Sequence, residues 1–504
     1  MYNAQCIMND GFAFGLPLRS HRSLYIVHCT LKPSFKQNPL TVSRYRSTYS
    51  TQKDMLHFDK LSLNIPDTDK PRVVVIGGGF GGVNLVKGLK GKGFQVVMFD
   101  KQNYHGFWPL LYQVATAGLE PDAIAEPLRK LFDGYDDFHF RLVRITGVDP
   151  ARKIVKTMIG ELPYDHLVIA TGSKSNYFGN DQIKNNSFPL KGIPDALNLR
   201  SQFLQSFEQA SIIKDPDLRQ SLLNFVIVGG GPTGVELSGS LAEMRKHVLP
   251  NDYPGLDFSK MNIYLVEGMD RVLPPMSPES AETTQKYLNE LGVITKVKTM
   301  VSSYDGETVT FKSGEQIKTQ TLIWAAGVTG ATIEGMPAES VDKGRYIVDL
   351  FNRVKGADEV YAVGDIAFMA SDKWPKGHPG VAQPAIQQGE HLATNLTLLH
   401  RGGELRPFEY FDKGSLAIVG RNRAVADLPK NLHLKGFIAW MAWLFVHIWY
   451  LVGFRSKLVV MSNWIYRLFT YDRGTRLIIR TFVRKDDKAG QDLVVQNDER
   501  LVTD

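Results

Sequence analysis

Short runs of consecutive apolar, mostly β-branched residues recur along this chain, and several run straight into glycine. Arg72-Val73-Val74-Val75-Ile76 is the first, and a run apolar on both faces predicts a strand buried inside a parallel sheet. It leads into Gly77-Gly78-Gly79-Phe80-Gly81-Gly82, then a helical stretch over Val83–Lys87, then a second strand, Gln95–Phe99, ending at Asp100. The order repeats downstream: strand Phe225–Val228, glycine turn Gly229–Gly234, helix Val235–Gly239, and strand Ile263–Val266 ending at Glu267. Lys246–Lys260, rich in Pro, Asp and Gly, predicts a loop inserted after the second helix. Two further buried strands close the units, Leu167–Ile169 into Ala170-Thr171-Gly172 and Leu322–Trp324 into Ala325-Ala326-Gly327, and Val360–Val363 runs into Gly364-Asp365. Strands alternating with helices in this way predict an α/β protein with two nested Rossmann-like dinucleotide-binding domains. A different pattern follows. Gly436–Phe454 is almost uncharged and dense in aromatics between Lys435 and Arg455, and Lys457–Phe469 is amphipathic.

Each glycine turn fits GxGxxG. In the first, Gly77 permits the tight turn, Gly79 lets a pyrophosphate approach the backbone, and Gly82 lets helix and strand pack closely. Gly229, Gly231 and Gly234 repeat those roles. Asp100 and Glu267 stand where an acid accepts hydrogen bonds from an adenosine ribose, although Glu267 lies further from its glycines than the usual ~20 residues. Glu267 favours NADH over NADPH because an acid repels a 2′-phosphate, with Arg271 four residues on as the opposing charge. An Asp behind a glycine at a strand end, as at Gly364-Asp365, reaches a ribityl hydroxyl or caps a helix facing a pyrophosphate.

Composition narrows the chemistry. The 504 residues are 43% hydrophobic and 22% charged, which is the balance of a folded globular protein. The net charge of +7 is spread along the chain rather than gathered in a patch, which argues against nucleic acid as a partner and is compatible with anionic lipid. Only two cysteines exist, Cys6 and Cys29, both ahead of the first strand. A dithiol redox centre, a cysteine-ligated cluster and a four-cysteine zinc site are therefore excluded from the two units, and no metal site is expected. Residues 1–54, basic and serine-rich with Asp10 as their one acid before Asp54, read as a disordered extension or a targeting segment.

Taken together, the chain resembles the type II NADH dehydrogenases, the non-proton-pumping NADH:quinone oxidoreductases among the two-dinucleotide-domain flavoproteins. The resemblance rests on the glycine motifs, on Asn103–Ala115, on Val360–Asp365 and on Ala382–Gly389, which is similar to the family's AQxAxQxG quinone-site pattern. It implies FAD on residues 70–185 and 315–430, NADH on residues 186–314, and a membrane-attachment region over 431–504. Ala170, Thr171, Gly172, Gly327, Gly364 and Asp365 join the glycine loops as cofactor-binding residues. Glu236 is expected beside the nicotinamide, and Gln383 and Gln387, four apart on one helix face, at the carbonyls of a membrane ubiquinone or menaquinone. His105 and Trp108 receive no catalytic role.

Attachment is expected to lie in the membrane interface rather than to span it, because Gly436–Phe454 is near the lower limit of the ~20 residues a span needs. A single apolar segment forms no proton channel; the alternative use for it is a homodimer contact. The implied locations are the cytoplasmic face of a bacterial inner membrane or, with a true transit peptide, the mitochondrial inner membrane. Sulfide:quinone and disulfide reductases of the same fold need cysteines that the two units lack. The remaining rival is a redox-regulated interaction protein of the apoptosis-inducing-factor type, which binds FAD and NADH without quinone turnover.

Overall fold

The computed structural model describes residues 61–479 and 481–482, so the expectation for residues 1–54 lies outside the described residues. Two five-stranded sheets carry the molecule. In the first, Val360–Ala362, His166–Ile169, Arg72–Ile76, Gln95–Asp100 and Phe138–Leu142 lie side by side in that order, all parallel. In the second the order is Phe188–Pro189, Thr321–Trp324, Asn224–Val228, Asn262–Val266, Ile294–Lys296, again parallel. The central strands are buried along almost their whole length, which is why they read as unbroken apolar runs instead of alternating ones.

The last strand of the first sheet comes from residues after the second unit, so the second unit is an insertion into the first. An antiparallel pair, Ser173–Ser175 with Val328–Gly330, joins the two crossings of the chain. One boundary needs correction. Thr321–Trp324 pairs with Asn224–Val228 in the middle of the second sheet, so that unit ends after Trp324 and not at residue 314. Apolar runs mark strands but do not say which of two similar sheets a strand enters.

Each glycine turn opens a helix, α1 over Phe80–Leu89 and α2 over Pro232–His247. The expected loop after α2 contains two short helical turns, Leu249–Asp252 and Phe258–Lys260. Helix α3, Ala382–His400, lies against α1 at very short range: a Cβ on Gly389 would collide with the carbonyl oxygen of Gly81, and one on Gly88 would approach Ala393 Cβ to 2.6 Å. The stripe of small residues thereby brings the start of α3 to the first glycine turn.

The C-terminal region begins earlier than residue 431. Ser415–Gly420, Arg423–Leu428 and Leu432–Lys435 form an antiparallel sheet. It is covered by α4, Gly436–Tyr450, whose Ala439 and Trp440 pack on Ala424 and Ala426. The apolar stretch expected as one segment to Phe454 is broken: Gly453, with φ +88°, turns the chain into α5, Phe454–Thr470. Fifteen residues of α4 measure about 22 Å, short of the ~30 Å hydrocarbon core. Among the described residues no helix is long and apolar enough to cross a membrane.

Candidate active site

The two glycine turns are near copies. Gly77 and Gly229 have φ of +113° and +114°, in the region that side chains avoid, and each faces a backbone carbonyl, of Ala170 or Ala325, with no room for a Cβ. Gly82 and Gly234 pack directly on the carbonyls of Gly77 and Gly229. By contrast, a Cβ on Gly79 or Gly231 would meet nothing within 4 Å. Each of these two open glycines is the N-cap of its helix, and neither cap carries a side-chain hydrogen bond. Free N–H groups and the positive end of the helix dipole therefore face open space, which is what a pyrophosphate requires.

The acids match as well. Asp100 Oδ2 accepts from Gly78 N at 2.6 Å and Glu267 Oε2 accepts from Gly230 N at 2.6 Å. Asp100 Oδ1 and Glu267 Oε1 accept from Gln102 N and Met269 N, both at 2.8 Å. Burial raises the Asp100 pKa above the ordinary carboxylate value, against these backbone donors. Arg271 is not free to meet a 2′-phosphate, since its Nη2 donates to the carbonyls of Pro274 and Met276 at 3.2 and 3.3 Å.

Around the first turn, buried His105 offers Nδ1 to Gly78 O at 2.9 Å, and burial pushes its pKa down to about 4, which suits a neutral structural ring. Thr171 Oγ1 donates to Ala331 O at 2.7 Å, and Asp365 Oδ2 accepts from Ser173 Oγ at 2.6 Å. The Ala170–Gly172 turn and the Gly364-Asp365 turn are thus fastened into one wall, with Gly172, Gly327 and Gly364 at φ +65°, +77° and +78°. Gln388, not singled out by the sequence, locks that wall to α3 by accepting from Gly364 N at 2.7 Å. The AQxAxQxG pattern and the spacing of four both drew attention to Gln383 and Gln387, whereas Gln388 falls on one of the pattern's open positions.

Those two glutamines differ. Gln387 is engaged at both ends, donating to Phe411 O and accepting from Phe411 N at 3.0 Å each. Gln383 Oε1 is buried and has no hydrogen-bond partner among the described residues.

Glu236, on the first turns of α2, is 8% exposed. It lines a cavity of about 760 Å³, open mouth included, between the Leu111–Ala115 helix, α2, strand Ser415–Gly420 and helices α4 and α5. Burial pushes its pKa up to about 8, only partly offset by hydrogen bonding to Ile418. Trp443 Nε1 faces the same carboxyl and adds a smaller offset. Burial therefore favours the neutral form of the carboxyl near neutral pH. Sequence reasoning missed the cavity's other polar lining, Tyr112, Gln113, Arg467 and Arg473, because it comes from segments far apart in the chain. Arg467, within the amphipathic stretch Lys457–Phe469, turns inward to Gln113.

The pyridine nucleotide-disulphide oxidoreductase family matches residues 71–389, and the NDH2 C-terminal domain family matches residues 413–471. The type II NADH:quinone oxidoreductase Ndh of Mycobacterium tuberculosis is 36% identical over 422 residues, covering 80% of this chain and 89% of that protein. The chain belongs to the type II NADH:quinone oxidoreductases. The external alternative NADH-ubiquinone oxidoreductase of Yarrowia lipolytica mitochondria is 29% identical across 79% of both chains. NDH2 from Plasmodium falciparum, solved in complex with NADH, superposes with a TM-score of 0.76 at 22% identity, covering 82% of this chain and all of that one. The sulfide:quinone oxidoreductase of Aquifex aeolicus shares the fold at a TM-score of 0.62. The family's cofactors are FAD and NADH, and the two glycine turns offer two dinucleotide sites of matching geometry.

Proposed function

We propose that the chain oxidises NADH at FAD and reduces a membrane quinone beside Glu236, in the balance NADH + H⁺ + quinone → NAD⁺ + quinol, without pumping protons and as an entry to a respiratory chain. The observation that carries this reading is the position of Glu236. It stands just inside the helix whose N-terminus offers its N–H groups to NADH, and it lines the cavity walled on the far side by the apolar C-terminal helices. When bound, FAD supplies the two-electron acceptor chemistry. The protein's part is to hold NADH by the Gly229–Gly234 turn and Glu267, and to hold FAD by the Gly77–Gly82 turn, Asp100, the Ala170–Gly172 wall and Asp365. Quinol formation takes up two protons, and the neutral Glu236 carboxyl holds one inside a water-poor cavity. Gln383 is the glutamine we place at the quinone, its unpaired Oε1 at the start of α3 being able to accept from a hydroxyl of the quinol as it forms.

Attachment to one leaflet of a bilayer accompanies this reading. Phe437, Met441, Phe445 and Trp449 form a stripe along α4 at four-residue spacing, and all are exposed. Phe454, Ile465 and Phe469 extend it along α5, with the exposed Arg455 at its edge. Anaerobic stopped-flow mixing tests the function: flavin absorbance should bleach on mixing with NADH and recover on mixing with a short-chain quinone. Bleaching without recovery would refute the quinone half.

A further inference from the structure

The cavity beside Glu236 has a charge imbalance built into its wall. Arg473, 2% exposed, is well supplied: Nη1 donates to Thr116 O at 2.8 Å and Ser240 Oγ at 3.0 Å, Nη2 donates to Ser240 O at 3.0 Å, and Glu243 lies 3.6 Å away. Arg467 is not. Among the described residues its guanidinium makes a single hydrogen bond, from Nη1 to Gln113 Oε1 at 3.3 Å, and that oxygen already accepts from Trp464 Nε1 at 2.9 Å. No carboxylate lies within ion-pair distance of Arg467 among the described residues, and Glu243 is taken by Arg473. Arg421 lines the cavity too, so three arginines face the carboxyl groups of Glu236 and Glu243 in a partly open space, and burial lowers the pKa of Arg467 and Arg473. Arg467, half-buried and without a carboxylate of its own, is the one a negatively charged ligand would complete.

The walls say what kind of ligand that is. Trp440, Trp443 and Trp464 line the same cavity, with fully buried Trp443 turning its Nε1 toward Glu236. Flat apolar rings surround a guanidinium that has one long hydrogen bond.

We propose that Arg467 binds the quinone oxygen on which negative charge develops during reduction, so that the cavity prefers the anionic over the neutral form of a ring of this class. The proposal rests on the reading that this cavity takes the quinone. Two electrons delivered from NADH place charge on the two carbonyl oxygens, and two protons then complete the quinol. A fixed guanidinium at one oxygen stabilises that charge before its proton arrives, and Glu236 delivers a proton without leaving a second cation behind.

The test is equilibrium binding to the oxidised, FAD-loaded enzyme at neutral pH, read by quenching of tryptophan fluorescence. The probes are a hydroxynaphthoquinone, ionised at that pH, and its neutral methoxy ether. The wild type should bind the ionised probe at least about tenfold more tightly. Arg467→Gln should lose roughly ten- to a hundredfold for the ionised probe and about twofold or less for the ether, and Arg467→Lys should recover part of the difference. Equal wild-type affinities overturn the proposal even if the variants fail to fold. Equal losses for both probes in Arg467→Gln overturn it too, since Arg467 would then only support Gln113. Should neither probe quench tryptophan while the enzyme still turns over quinone, the cavity reading falls and takes this assignment with it. If quenching is normal and only the charge preference is missing, the cavity reading stands and Arg467 alone is rejected.

Discussion

Burial raises the Glu236 pKa to about 8, and that fixes the sign of its pH effect. The neutral form, the one able to donate, is present below about 8 and is lost as pH rises through that value. Quinone reduction should therefore fall on the alkaline side of about pH 8. In Glu236→Gln the alkaline limb should vanish and the rate below it should drop by about 10²-fold, the contribution of one positioned proton donor. A pH–rate profile of flavin reoxidation that keeps the same limb in the variant would assign it to another group. Glu267 is a second case in which one residue decides. Its carboxylate already holds Gly230 N, so it is fixed where a 2′-phosphate would arrive, and Arg271 is turned away. Glu267→Gln should narrow the NADH preference in kcat/KM by about tenfold, and an unchanged ratio for the two nucleotides would mean the position is not read. Both acids were legible in the sequence from their place after a strand or a glycine turn. The shifted pKa of Glu236 was not, because the segments that enclose it with Ile418 and Trp443 lie about two hundred residues further along the chain.

Helix α3 shows how far periodicity carries at the scale of an element. Spacing of four put Gln383 and Gln387 on one face, and the helix is there. What spacing leaves open is which amide is already bonded. Gln387 holds the backbone of Phe411 by two hydrogen bonds, a contact made by a loop whose conformation no local pattern encodes. The two substitutions should consequently separate. Gln387→Leu should destabilise the fold by about 0.5–1.5 kcal/mol, by removing two exposed hydrogen bonds to the Phe411 backbone, with both half-reactions close to wild type. Gln383→Leu should leave the melting temperature nearly unchanged and slow flavin reoxidation roughly 5- to 150-fold, while reduction by NADH keeps its rate. Paired thermal melts and stopped-flow traces decide this, and slower flavin reduction in Gln383→Leu would move that glutamine to the nicotinamide side. The glycine turns behave differently, since backbone geometry is what the residue type itself dictates: Gly77 and Gly229 have positive φ, Gly79 and Gly231 face open space, and Gly82 and Gly234 pack on a carbonyl.

At the scale of the molecule, the C-terminal helices are at once an outer surface and a wall of the core. Trp443 is fully buried, Trp464 nearly so, and Arg473 closes the cavity floor, whereas Phe437, Phe445, Trp449 and Phe469 are 58%, 67%, 65% and 83% exposed. Hydropathy along the chain registers both sets as one apolar, aromatic stretch and does not distinguish ring facing in from ring facing out. Truncation before Gly436 is therefore a poor test of attachment, because it would remove core tryptophans along with the surface and leave the cavity without a wall. The informative variant keeps the inner face and changes only the outer one, replacing Phe437, Phe445, Trp449 and Phe469 by serine. Each exposed ring entering the interfacial region contributes on the order of 1 kcal/mol, so the four together account for about 4 kcal/mol, roughly a thousandfold in partition. In flotation with anionic vesicles the wild type should rise with the lipid and the variant should stay in the aqueous fraction, with FAD bound and flavin reduction by NADH intact. Its turnover should remain near wild type with a water-soluble short-chain quinone and collapse with a long-chain quinone confined to the bilayer. A folded variant that still floats would place the attachment surface elsewhere on the molecule, and one that fails with both quinones would mean these rings shape the cavity rather than the contact with lipid.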